Sequence, residues 1–84
     1  MSDLKTKYKY IRFEYRKRIL DKLEDNYWLC INNKGIELGC VLYYAKWKEW
    51  EFAPYEGMGF TVECLREIAD FISQLNKRSK GNNG

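Results

Sequence analysis

Between Asn26 and Ala53 apolar residues alternate with polar ones or run on, broken by short polar clusters at Asn33-Lys34-Gly35 and Ala45-Lys46-Trp47-Lys48. That pattern predicts strands over Asn26 to Asn32, Ile36 to Tyr44 and Glu49 to Ala53, with Pro54 ending the pairing because it has no N–H to donate. After the loop from Pro54 to Gly59 the period changes. Val62, Leu65, Ile68, Ala69, Ile72 and Leu75 recur at three- and four-residue steps. Thr61 offers an N-cap oxygen, Glu63 suits the positive end of a helix dipole, and Lys77 and Arg78 suit the other end. A helix from Val62 to Asn76 follows, with Leu65 and Ile68 central in its buried stripe and Arg66, Glu67, Asp70, Ser73, Gln74 and Lys77 opposite.

The N-terminal segment satisfies two periods at once. Leu4, Tyr8, Ile11, Tyr15 and Ile19 fall on a helical stripe, yet Lys9, Ile11, Phe13 and Tyr15 alternate with Tyr10, Arg12, Glu14 and Arg16 as in a strand. Tyr, Ile and Phe favour a pleated surface, so Tyr8 to Tyr15 is expected as a strand. Ile19 to Leu23 is expected as a helical turn or as the continuation of a hairpin. The fold class is α+β, a small antiparallel β-meander of about four strands with one C-terminal amphipathic helix packed on one face. Residues 1–76 form the domain, and 77–84, reading KRSKGNNG, a flexible polar tail.

One helix covers one face of such a sheet, and the central strands are apolar on both. Trp28 and Cys30 point one way and Tyr27, Leu29 and Ile31 the other, while Leu38, Cys40, Leu42 and Tyr44 oppose Val41 and Tyr43. The second face needs cover from Ile19, Leu20 and Leu23 folding back, from a second copy in a homodimer, or from another protein partner. Tyr27, Leu29, Ile31, Leu42, Tyr44 and Trp47 are the candidate partner interface.

Composition narrows the chemistry. A chain of 84 residues makes one small domain, and seven Tyr, three Trp and four Phe supply its core. There is no histidine, no apolar run of membrane-spanning length and no secretory leader pattern at the N-terminus. Metal hydrolase, membrane span and secretion are therefore disfavoured. Cys30, Cys40 and Cys64 are odd in number and lack CxxC spacing, which fits reduced thiols in a cytoplasmic protein better than a disulfide or zinc framework. Cys64 alone, in the first helical turn, is placed for a lowered pKa.

Glu49, Glu51 and Glu56 with Asp70 form no DxD or ExxE arrangement, and the GxG of Gly57 and Gly59 lacks a P-loop frame. No catalytic residue, metal site or cofactor is expected. Charge is uneven: Lys5 to Lys22 holds eight Lys or Arg against two acids, and Leu23 to Asn76 four against nine. Lys9, Arg12 and Arg16 among the N-terminal aromatics, and Lys46 and Lys48 beside Trp47, are candidate contacts to a single-stranded nucleic acid. The plainer readings are a strand with one solvated charged face and a Trp47 that caps the end of the core.

Leu38-Gly39-Cys40-Val41-Leu42-Tyr43-Tyr44, Trp47-Lys48, Trp50-Glu51-Phe52-Ala53-Pro54 and Phe60 precede Cys64-Leu65-Arg66-Glu67-Ile68-Ala69-Asp70-Phe71-Ile72 and Leu75-Asn76. This series resembles a pattern in small uncharacterised phage and mobile-element proteins, LGxIxWYxxWRxYxFxP followed by CLxEIAxFIxxLN. Among its departures are Tyr43, where the pattern has Trp, and Lys48, where it has Arg. The resemblance implies a sheet followed by one helix and a phage or integrated-element setting, hence the cytoplasm of a bacterial host. It carries over no catalytic residue. The expectation is a small non-catalytic protein acting through protein contact, with inhibition of a host system as one such role. The alternative is a single-strand nucleic-acid binder.

Overall fold

Ile11, Phe13 and Tyr15 alternate with Arg12, Glu14 and Arg16, and this two-residue period becomes the first strand, β1 (Ile11–Leu20). The computed structural model describes residues 4–20 and 23–81. After β1 come β2 (Leu23–Asn32), β3 (Glu37–Tyr44), β4 (Glu49–Pro54) and α1 (Val62–Gly81). The strands form one four-stranded sheet in the order β1-β2-β3-β4, each antiparallel to the next, and α1 packs on one face. The fold is therefore α+β.

The first strand begins later and runs further than the expected Tyr8 to Tyr15. Thr6 and Tyr8 are held instead in a turn against the strand start, with the Tyr8 N–H donating to Ile11 O and the Phe13 N–H to Thr6 O, both at 2.8 Å. At the other end the β1–β2 ladder continues to the pair Leu20 and Leu23. The backbone of Ile19, Leu20 and Leu23 thus extends the hairpin rather than returning across the sheet. Asp21 and Lys22 lie outside the described residues.

Two rows of paired residues build the face under the helix. Phe13, Cys30, Gly39 and Pro54 make one row, and Tyr15, Trp28, Val41 and Phe52 the next. Beyond the Cys30 row the β2–β3 register shifts, from Cys30 opposite Gly39 to Ile31 opposite Glu37, which leaves Leu38 as an extra residue. Strict alternation would group Leu38 with Cys40 and Leu42. The bulge places it instead in the core with Ile11, Phe13, Cys30 and Val41. Pro54 does not end the pairing: β4 is an edge strand that tolerates it, and the Tyr55 N–H still donates to Leu38 O at 2.9 Å.

Thr61 caps α1 as its sequence suggests, accepting from the Cys64 N–H at Oγ1, 3.2 Å away. The buried stripe is rotated from the expected one. Ile68, Phe71 and Leu75 are buried, with Cys64 and Ile72 packed beside them, whereas Leu65 is 49% exposed. The Phe71 ring stacks on Phe13 at 4.0 Å and meets Trp28 edge-on at 5.1 Å. Two large rings from adjacent strands fix the helix by the row that carries Phe71, and that choice turns Leu65 outward. The helix also runs to Gly81, taking in Lys77 to Gly81 of the segment expected as tail.

The polar flank of α1 holds the N-terminal segment. Gln74 bonds Lys5 twice, accepting its N–H at 2.9 Å and donating to its carbonyl at 3.1 Å. The Tyr8 hydroxyl donates to Asp70 at 2.7 Å and accepts from Gln74 at 2.8 Å, and the Tyr10 N–H donates to Glu67 at 3.2 Å. Near the helix C-terminal half, Asn76 Oδ1 accepts the N–H of Trp50 at 2.8 Å, giving a backbone donor of the edge strand a partner.

Candidate partner interface

Leu29 pairs with Glu14 on one side and Cys40 on the other, and Cys40 pairs with Ala53, so Glu14, Leu29, Cys40 and Ala53 form a row across the outer face. One step along, Arg16 pairs with Tyr27 and Leu42 with Glu51. Tyr27, Leu29, Ile31, Leu42 and Tyr44, expected as one surface, therefore share this face. No helix or strand among the described residues lies over it.

Leu29 and Ile31 are nonetheless only 3% and 4% exposed. Their paired neighbours on this face are Glu14 and Cys40 beside Leu29, and Arg12 and Glu37 beside Ile31. Along β1, Glu14 receives Arg12 Nε at 3.0 Å and the Arg16 guanidinium on its other oxygen. These bonds, Arg16 first, hold the Glu14 carboxyl below its ordinary value. Just past β4, Tyr55 continues the ladder through its N–H bond to Leu38 O at 2.9 Å, and burial raises its hydroxyl pKa above the usual value. The surface left for a partner is thus half-buried Tyr27 and Leu42 with exposed Tyr44 and Tyr55, between a β1 border of Arg12, Glu14 and Arg16 and a β4 border of Glu49 and Glu51.

Trp47 belongs to the turn at one end of this face. Its N–H donates to Tyr44 O at 3.2 Å, Lys48 N–H donates to Ala45 O at 3.3 Å, and Lys48 adopts the left-handed φ of 57°. At 65% exposed, with its ring 5.0 Å from that of Tyr44, Trp47 does not cap the core.

The candidate nucleic-acid contacts are dispersed. Lys9 sits at the opposite end of the sheet from the Ala45 to Lys48 turn: its carbonyl accepts from Asn33 in the β2–β3 turn, and its ammonium lies 5.4 Å from the Tyr10 ring. Arg12 and Arg16 are on the outer face with Glu14 between them. Lys46, Trp47 and Lys48 remain together in their own turn.

Candidate catalytic groups do not converge either. Glu51 is on the outer face, while Asp70 is bonded to Tyr8 on the helix side. Gly57 has φ 84° in the loop before α1, the backbone conformation that glycine allows. Among the described residues no group of His, Cys, Asp and Glu could hold a metal ion, and no helix is long and apolar enough to cross a membrane. Cys30 is buried, which pushes its thiol up to about 12. Sequence reasoning missed Tyr55, because a residue after a strand-ending proline gives no sign that it folds onto the outer face. No family model, curated protein or solved structure matches this chain.

Proposed function

We propose that this chain is a non-catalytic binding protein of phage or mobile-element type that acts through protein contact, with the outer sheet face as its contact surface. Inhibition of a host system in the bacterial cytoplasm is one role open to such a protein. The observation that carries the reading is the outer face itself: one register brings Tyr27, Leu42, Tyr44 and Tyr55 together on a sheet side with no covering element among the described residues. Aromatic residues ringed by charge are the composition of protein contact sites.

The test is binding to bacterial lysate by tagged wild-type chain and by Leu42→Glu, after nuclease treatment. A captured protein is then identified and its binding repeated with pure components. Retention by the wild type and loss in a folded Leu42→Glu variant supports the reading. Retention of nuclease-sensitive material alone, released steeply by salt, would replace it with the nucleic-acid reading. That alternative is favoured by one local feature, the exposed Trp47 between Lys46 and Lys48.

A further inference from the structure

On the outer face the two borders differ in charge. β1 presents Arg12 and Arg16 around a single Glu14, and β4 presents Glu49 and Glu51. Arg16 and Glu51 each stand two residues along their edge strands, in the same direction, from the row Glu14, Leu29, Cys40 and Ala53, with Tyr27 paired to Arg16 and Leu42 to Glu51. A two-fold axis parallel to the strands and passing between β2 and β3 exchanges the two ends of each row without moving a residue along the strand. It therefore lays β1 of one copy over β4 of the other. We infer that the occupant of the outer face is a second copy of this chain, related by that axis, with Arg16 of each copy set over Glu51 of the other.

The row Glu14, Leu29, Cys40 and Ala53 is self-complementary under this operation, whereas Ile31, which pairs with Glu37, is set toward the second copy's carboxylate. Tyr27 meets the second copy's Leu42, Leu29 meets its Cys40, and Glu14 meets its uncharged Ala53 rather than another acid. Arg12 falls toward the second copy's Tyr55, whose N–H bond to Leu38 continues the ladder by one residue. Sheets packed face to face lie about 10 Å apart, a gap that an Arg and a Glu side chain reaching from opposite sides together span. A two-fold parallel to the sheet but perpendicular to the strands would instead set β1 over β1 and oppose like charges. Apolarity alone does not distinguish these axes; the placement of Arg16 and Glu51 on opposite edges does.

The face is about 15 Å across, from strands about 4.8 Å apart, and is small beside the roughly 800 Å² per partner of a standard interface. The dimer is therefore expected to dissociate in the micromolar range. The inference rests on the outer face being the contact surface, as proposed above, and names its partner.

The test is sedimentation equilibrium over a concentration series at low and high salt, on wild type, Arg16→Glu, Glu51→Arg and the double exchange. The expected result is a reversible wild-type dimer weakened by salt, a Kd raised about tenfold by each single exchange, and recovery in the double variant. Circular dichroism checks that each variant folds. If Arg16→Glu does not fold, Glu51→Gln and the wild-type salt dependence carry the test. A strict monomer at high concentration, or a dimer indifferent to both exchanges, overturns the inference. A monomer that still binds a bacterial protein in a Leu42-dependent way would overturn this inference alone and leave the proposed function standing.

Discussion

Cys30 stands directly opposite Gly39 across the β2–β3 ladder, and not opposite Cys40, which pairs with Leu29 on the other face of the sheet. The two thiols nearest in sequence are thereby separated by the sheet itself. Cys30 lies under the helix, and its neighbour Gly39 leaves no room for a side chain against β4.

A Cβ on Gly39 would sit 2.6 Å from Ala53 O and 2.9 Å from Pro54 Cα, both backbone atoms that cannot swing aside. Gly39→Ala is expected to lower stability by about 1–3 kcal/mol or more. Urea denaturation checks it. An unchanged midpoint would mean that β4 packs more loosely against β3 than described.

The burial of Cys30, which pushes its thiol up to about 12, predicts that it resists alkylation in the native protein at neutral pH and reacts once the chain is unfolded. Mass spectrometry after iodoacetamide treatment, with and without denaturant, reads this directly. No disulfide joins Cys30, Cys40 and Cys64, and none should be found.

Ile68 and Leu65 differ by one helical step and should differ sharply in cost. Ile68→Ala removes a side chain that is 4% exposed and should destabilise by about 2–5 kcal/mol. Leu65→Ala removes one that is 49% exposed and should change stability by less than about 1 kcal/mol. Equal melting temperatures for the two variants would contradict the helix rotation.

The Tyr8 hydroxyl is raised well above its ordinary value of 10.0, first by burial and then by its bond to Asp70. A raised folded-state pKa contributes stability that is fully present below pH 10 and lost as pH rises from there through the folded value. Alkaline titration should therefore destabilise the wild type more steeply than Tyr8→Phe. At neutral pH the variant should lose about 1 kcal/mol, as its hydroxyl bonds are removed. Parallel titrations would exclude Tyr8 as the source.

Lys48 holds φ 57°, a conformation that costs a residue with a Cβ roughly 1–2 kcal/mol relative to the right-handed region. Lys48→Gly should raise stability by about 0.5–1 kcal/mol in thermal unfolding. A loss would show that the Lys48 side chain contributes contacts that outweigh the backbone relief.

Much of the architecture is legible along the chain because alternation and turn chemistry agree from Asn26 to Ala53, and because Thr61 marks the helix start. The helix phase is not. Leu65 with Ile68 and Phe71 with Ile68 both obey three-residue spacing, and only the rings of Phe13 and Trp28 choose between them. The start of β1 is hidden for a similar reason: Tyr8 is held by Asp70, 62 residues away, and no local pattern reports that bond. The outer face was foreseeable from two-sided apolarity in β2 and β3. That Leu29 and Ile31 would be buried within one chain was not, because alternation reports which face a residue takes and not how exposed it is. Leu29→Glu is therefore a probe of folding, and Leu42 is the residue that reports on contact.

The bonds between Lys5 and Gln74 join positions 69 residues apart, whereas every strand pairs with its neighbour in sequence. Closing so long a loop has an entropic cost that local hairpins avoid. The order of assembly expected from this is zippering of the β1–β2, β2–β3 and β3–β4 hairpins before the two chain ends meet. Substitutions at Tyr8 and Gln74 should then speed unfolding while leaving the refolding rate nearly unchanged, so the strap across the helix acts as a latch on an already formed sheet and lengthens the lifetime of the native state.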